Sequence, residues 1–174
     1  MLLKEAIELI KYKKISKPGR QTWADLGCGS GTFTKALADL LSPGSVIYAV
    51  DKNSSALKQI PEEFGNASIN KISGDFTKTE IPFNLDGIIM ANSLHYVNDK
   101  ASFIKNIKNH LKEKGSFLIV EYDIDTANTW VPFPVSFQSL KLLFENMKYS
   151  SIIKLSERSS LYQSGHIYSA IIII

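Results

Sequence analysis

The stretch Trp23-Ala24-Asp25-Leu26-Gly27-Cys28-Gly29-Ser30-Gly31 constrains this chain more than any other. A short apolar run ends in three glycines at alternate positions. The segment after it, Thr32 to Leu41, places Phe33, Ala36, Leu37, Leu40 and Leu41 at helical spacing. The order is strand, glycine turn, helix. Glycines in such a turn let the backbone take positive φ and let a ligand come close to the main chain, while the helix N-terminus offers N–H groups without intrahelical partners. This suits a nucleotide-like ligand. A plain strand-to-helix turn with packing glycines has the same local pattern, so the later segments decide between the two.

Those segments repeat the alternation. After the stop signal Ser42-Pro43-Gly44, Ser45 to Val50 is a nearly continuous apolar strand ending in Asp51. A helix is expected over Ser54 to Phe64, ending or kinking near Ile60 because Pro61 follows. Ala67 to Phe76 is a weaker strand closing on Gly74-Asp75-Phe76. Leu85 to Ala91 is a fourth strand, followed by Asn92-Ser93-Leu94-His95-Tyr96-Val97. From Asn98 or Asp99 a helix with the stripe Phe103, Ile104, Ile107 and Leu111 runs to Lys114-Gly115, and Ser116 to Tyr122 is a fifth, continuous strand. A helix from about Ser136 carries Phe137, Leu140, Leu143, Phe144 and Met147. The strands Tyr149 to Ser156 and His166 to Ile174, joined by Glu157 to Gly165, end the chain.

The fold class expected is α/β: a doubly wound, mostly parallel seven-stranded sheet with a C-terminal antiparallel hairpin strand and helices on both faces. One domain over residues 1–174 is expected. Leu2 to Ile10 forms an amphipathic helix, 1–20 are helix and linker, and 21–174 are core. Ligands of such sheets lie beyond the carboxyl ends of the strands. Gly27, Gly29, Asp51, Asp75, Asn92 and Glu121 all fall there. Asp51, with Lys52 beside it, stands where nucleotide-binding sheets place the carboxylate that accepts from ribose hydroxyls; a helper to the next helix start is a second reading, and both can hold.

The spacing Asp25-x-Gly27-x-Gly29-x-Gly31 departs from the dinucleotide fingerprint, whose third small residue would fall at Thr32. It resembles the first motif of the class I S-adenosylmethionine-dependent methyltransferases, and the resemblance extends from about Gln21 to the C-terminus. The resemblance implies that Gly27, Cys28, Gly29 and Gly31 pass under the methionine and ribose part of the cofactor and that Asp25 helps hold its amino end. It implies that Asp75 accepts from the adenine amino group and Phe76 packs by the ring, with a turn aspartate and a core phenylalanine as the rival reading. Asn92 and Ser93 would face the transferred methyl group. His95 would lie at the floor or rim of the substrate pocket, or be a buried histidine satisfied by backbone.

Methyl transfer from a sulfonium is an in-line displacement, and a general base is needed only for an acceptor that is protonated at working pH. His95, Tyr96, Glu121 and Tyr122 are the candidates. The aromatics Trp130 and Phe133, in the irregular stretch Ile124 to Pro134, are either a substrate wall beside His95 or core under the next helix. Asn92 is not followed by the two prolines of amino-methyltransferases acting on DNA, and the single cysteine, Cys28, leaves no nucleophile for cytosine-carbon methylation. The fifth strand ends Glu121-Tyr122-Asp123 without the Asp–Asn pair of the magnesium-dependent catechol type, so no metal is expected.

A net charge of +3 with scattered lysines is too weak a basic bias to indicate nucleic acid. No apolar run approaches the roughly 20 residues that span a bilayer, and the N-terminus lacks a signal-peptide core. A cytoplasmic protein acting on a small-molecule acceptor, with S-adenosylhomocysteine as product, is the expectation. A non-catalytic binding protein of the same fold and a nicotinamide-dependent oxidoreductase are the alternatives.

Overall fold

The computed structural model describes residues 1–159 and 165–174. In chain order its elements are α1 (Leu3–Ile10), β1 (Thr22–Leu26), α2 (Thr32–Leu40), β2 (Ser45–Asp51), α3 (Ser54–Leu57), β3 (Glu63–Phe64), β4 (Ala67–Ser73), β5 (Leu85–Ala91), α4 (Lys100–Ile107), β6 (Leu111–Tyr122), α5 (Phe137–Asn146), β7 (Ser151–Ser159) and β8 (His166–Ile173). The strands form one sheet in the order β3-β4-β2-β1-β5-β6-β8-β7. β4, β2, β1, β5 and β6 are mutually parallel, while β8 and β7 continue the sheet antiparallel. This is the doubly wound sheet with its C-terminal hairpin, plus one two-residue strand at the far edge.

Continuous apolar runs become the central strands because both faces are covered. Successive residues alternate between two cores. Trp23, Ile47, Ile89 and Leu118 join α1 and α2 on one face, and Ala24, Ile88, Met90, Phe117 and Ile119 join α4 and α5 on the other. Trp23, 1% exposed, fits only because its neighbour on β5 is Gly87. A Cβ there would lie 2.3 Å from the indole ring. Gly87→Ala is therefore expected to destabilise the protein by about 1 to 3 kcal/mol through overpacking, read as a lower urea midpoint at unchanged slope.

Three boundaries differ from the sequence expectation. The helix expected to Phe64 stops at Leu57: Asn53 caps it by accepting from Ser55 and Ala56, but Pro61 disfavours helix at Ile60, and Glu63–Phe64 pair back on Ala67 and Ser68 across Gly65. The helix expected to reach Lys114 ends at Ile107, with one 3₁₀ turn over Lys108–His110. Leu111 already pairs with Leu85, and the register then shifts so that Gly87 pairs with Ser116. The strand expected over Tyr149 to Ser156 runs instead over Ser151–Ser159, in register with β8. Of the expected connection Glu157 to Gly165, residues 160–164 lie outside the described residues.

Helix α1 is held to the C-terminal hairpin. Ser169 Oγ donates to the Leu9 carbonyl, and Arg158 Nη2 donates to Glu5 Oε1 at 2.9 Å. The Arg158 hydrogen bond, then the Leu2 N–H, hold the Glu5 carboxyl at about 2.

Candidate active site

The glycine turn at the end of β1 is built from main-chain bonds. Gly27 and Cys28 donate their N–H groups to the Val50 carbonyl at 2.8 and 3.1 Å, so the turn hangs on β2. Gly29 N–H donates to Asp51 Oδ2 at 2.8 Å, and Asn53 N–H donates to Asp51 Oδ1 at 2.8 Å. Two backbone groups thus aim the Asp51 carboxylate before any ligand is present. The three glycines, at φ 78°, 54° and 82°, do different work. A Cβ on Gly27 would meet Ser93 Cβ at 2.5 Å, and one on Gly31 would meet Ile60 at 2.7 Å. One on Gly29 would meet no atom of the described residues within 4 Å. Gly27 therefore permits close packing, Gly31 seats α2, and Gly29 faces open space.

Asp25 lies beneath the turn, wholly buried. Thr34 Oγ1 donates to its Oδ2 at 2.6 Å, while Oδ1 has no hydrogen-bond partner among the described residues. Burial raises the Asp25 carboxyl to about 7; the Thr34 bond works against this, and the Asp51 charge adds to it. Asn92, at φ 54°, anchors its N–H on the Val120 carbonyl at 2.8 Å and leaves its own Oδ1 buried without a partner among the described residues. Two buried acceptors without donors on either side of one turn call for a hydrogen-bond donor from outside the chain. Burial, then the charges of Asp25 and Asp51, push the Cys28 thiol far up, so it stays protonated and makes a poor nucleophile.

Two cavities meet at this turn, sharing Gly27, Gly29 and Asn92. The first, about 290 Å³, is also lined by Asp25, Cys28, Tyr122 and Arg158. The second, about 590 Å³, is lined by Asp51, Lys52, Asp75, Phe76, Ser93 and Tyr96. Asp75 Oδ1 accepts from Thr77 N–H at 2.9 Å and from Thr77 Oγ1 at 2.7 Å, and these bonds lower its carboxyl. Phe76 stands edge-on to Phe103, ring centres 5.8 Å apart. Ser93 Oγ donates to the Leu26 carbonyl at 2.6 Å, tying the segment after β5 to the end of β1.

Of the residues expected to hold cofactor, all but Gly31 line one cavity or the other. The base candidates divide: Tyr96 and Tyr122 reach the cavities, whereas His95 and Glu121, 2% and 1% exposed, are bonded to each other and line neither. Trp130, 74% exposed, and Phe133 also line neither, and they do not fold back as core; Val131 and Val135 fill that place. Sequence reasoning missed Thr34, which steadies Asp25 from the helix, and Arg158, which topology alone brings to the first cavity. An Oγ one turn into the helix after an aspartate-headed glycine turn was a readable signal for Thr34. Among the described residues no group of three or more His, Cys, Asp and Glu side chains is placed to hold a metal ion, and no helix is long and apolar enough to cross a membrane.

A parallel sheet with a glycine turn and carboxylates at successive strand ends defines a nucleotide-type cofactor site. A family model described as a methyltransferase domain matches residues 24–117, more than half of the chain, and the protein belongs to that family, the class I S-adenosylmethionine-dependent methyltransferases. A comparison with curated proteins finds no match. Among solved structures, a SAM-dependent methyltransferase from Aquifex aeolicus is similar at TM-score 0.64 and 16% identity, covering 100% of this chain and 99% of that one. A protein from Sulfolobus solfataricus assigned to the type 11 methyltransferases is 25% identical over 91% of this chain and 87% of its own, at TM-score 0.60. The N-methyltransferase NodS from Bradyrhizobium japonicum, in complex with S-adenosyl-L-homocysteine, is 16% identical at TM-score 0.69, covering 98% and 84%. The unpartnered acceptors of Asp25 and Asn92, the aimed Asp51 carboxylate and the open face of Gly29 fit the family's cofactor, S-adenosylmethionine.

Proposed function

We propose that this protein is a single-domain cytoplasmic methyltransferase that takes S-adenosylmethionine across the glycine turn and passes its methyl group to a small molecule. The observation that carries the reading is the meeting of two cavities on Gly27, Gly29 and Asn92, with Asp25 on one side and Asp51 and Asp75 on the other. On this reading Asp25 Oδ1 and Asn92 Oδ1 take the donors of the cofactor's amino end. Asp51, Lys52 and Asp75 line the cavity for ribose and base, with Phe76 beside the base. When bound, the cofactor supplies an activated methyl group; the chain's part is to bind, orient and exclude water, which contributes on the order of 7 to 11 kcal/mol where alignment is good.

Proton handling, where the acceptor requires it, falls to Tyr96 or Tyr122, the two candidates that reach the cavities. Neither a metal nor DNA enters the proposal. Trp130 and Phe133 stand outside the two cavities and serve at most the outer approach of the acceptor.

Isothermal titration with S-adenosylmethionine and S-adenosylhomocysteine tests the reading: both should bind, and folded protein that takes up neither would end it. Asp51→Ala is expected to weaken S-adenosylhomocysteine binding by about 1 to 3 kcal/mol in the same measurement, since it removes an acceptor already aimed by Gly29 and Asn53.

A further inference from the structure

The segment after β5 walls the second cavity through Ser93 and Tyr96, yet its backbone starts from an unfavourable place. Asn92 sits at φ 54°, outside the regions side chains prefer, so the loop needs ties to keep one course. Ser93 Oγ supplies the first tie, to Leu26. The second is Glu121 at the end of β6. Its Oε1 accepts from His95 N–H at 3.1 Å and its Oε2 contacts His95 Nδ1 at 2.7 Å. Oε1 takes the backbone N–H, and the contact between Oε2 and Nδ1 needs one proton between the two atoms. The two side chains are 3% and 1% exposed.

His95 also passes the constraint outward. Its carbonyl accepts from Phe133 N–H at 3.0 Å, and Lys100 Nζ, on α4, donates to the carbonyls of Val97 and Phe133 at 2.9 and 2.7 Å. The Tyr96 ring, 56% exposed, rests against the His95 ring with centres 4.4 Å apart. One buried pair therefore meets three things: the end of β6, the wall of the cofactor cavity, and the loop that carries Trp130 and Phe133.

We infer that His95 and Glu121 are positioning residues, a locked pair that fixes Tyr96 on the cofactor cavity and couples that wall to the Phe133 loop, with no share in proton transfer. Sequence reasoning counted both as candidate bases. Both side chains are buried, His95 Nδ1 is engaged with Glu121, and neither residue lines either cavity. The inference rests on the cofactor-binding reading above.

The test compares His95→Asn with His95→Gln. The amide nitrogen of asparagine falls near the position of Nδ1 and can donate to Glu121, whereas that of glutamine falls near Nε2 and cannot. His95→Asn is expected to bind S-adenosylhomocysteine within about threefold of wild type. His95→Gln is expected to melt below His95→Asn, because it leaves the buried Glu121 oxygen without its partner, and to lose about tenfold or more in affinity at a temperature where both are folded, with faster hydrogen exchange at the Phe133 amide. A purely structural histidine would lower the melting temperature of His95→Gln and leave the affinity of the folded protein unchanged. Glu121→Gln is a second probe in case His95→Gln does not fold: its oxygen can accept from His95 N–H and its amide can donate to Nδ1, so affinity should again stay within about threefold. Equal affinity in His95→Asn and His95→Gln, or unchanged exchange at Phe133, overturns the inference. Wild-type protein that binds no S-adenosylhomocysteine would instead overturn the cofactor reading.

Discussion

Asp25→Asn is expected to make the protein more stable at pH 8 and to strip it of most of its affinity for cofactor. The buried carboxyl has a folded-state value near 7 against an ordinary 3.8. Its native form holds a proton between those limits where the unfolded chain does not, so stability falls as pH rises from about 4 to 7. The gap of about three units corresponds to about 4 kcal/mol of stability present at low pH and lost above pH 7. Asparagine does not ionise and escapes that loss. It can still accept from Thr34, but its amide hydrogens are placed where Asp25 Oδ1 has no partner, at a penalty of about 1 to 3 kcal/mol.

The net expectation at pH 8 is a gain of about 1 to 3 kcal/mol in urea unfolding, shrinking and then reversing as the pH is taken to 4. Binding should run the other way. A cationic ammonium is held better by the ionised form, so wild-type affinity for S-adenosylhomocysteine should rise as pH passes through 7, and the asparagine variant should bind weakly with a flat profile. Loss of affinity without the pH-dependent gain in stability would mean that Asp25 is ionised throughout. Stability given up for a charge in a dry place is the signature of a group kept for a ligand.

The sheet was legible because its central strands are buried on both faces and so appear as unbroken apolar runs, from Ile88 to Met90 and from Phe117 to Val120. Boundaries were less so where two local preferences compete. Leu111 continues the helical stripe of Phe103, Ile104 and Ile107, yet strand pairing with Leu85 claims it, and that contact lies far away in sequence. Ser54 to Ile60 has a helix start but too little length before Pro61 to hold a longer helix. The lining of the two cavities was legible for a topological reason: Gly27, Gly29, Asp51, Asp75 and Asn92 stand at or just beyond strand ends. The surroundings were not. Arg158 arrives from the penultimate strand, and Trp130 and Phe133 lie in an irregular stretch whose placement depends on hydrogen bonds to His95 and Lys100. His95 and Glu121 carry polar side chains next to a site, and nothing in their spacing tells a base from a strut; their burial outside the linings of both cavities favours the strut.

Gly27→Ala and Gly29→Ala, two substitutions of the same kind two residues apart, are expected to fail in different ways. Both glycines have positive φ, 78° and 54°, so an added methyl group carries a backbone penalty of about 1 to 2 kcal/mol at either site. At Gly27 the new carbon would also lie 2.5 Å from Ser93 Cβ and 3.3 Å from the Phe76 ring. A Cβ cannot rotate away, and Ser93 cannot retreat without breaking its bond to the Leu26 carbonyl. Overpacking then adds about 1 to 3 kcal/mol, so Gly27→Ala should lose about 2 to 5 kcal/mol in urea unfolding and cofactor binding with it. At Gly29 no atom of the described residues stands within 4 Å, and the backbone penalty is the cost to folding. The methyl group there projects from a residue lining both cavities, so Gly29→Ala should lose only that penalty of about 1 to 2 kcal/mol, the smaller part of the Gly27→Ala loss, and bind S-adenosylhomocysteine at least about tenfold more weakly. Equal binding by Gly29→Ala and wild type would mean that the ligand does not cross the turn there. Separating the two variants by stability and affinity distinguishes a glycine needed by the fold from one needed by the cofactor, which the spacing of the motif cannot do.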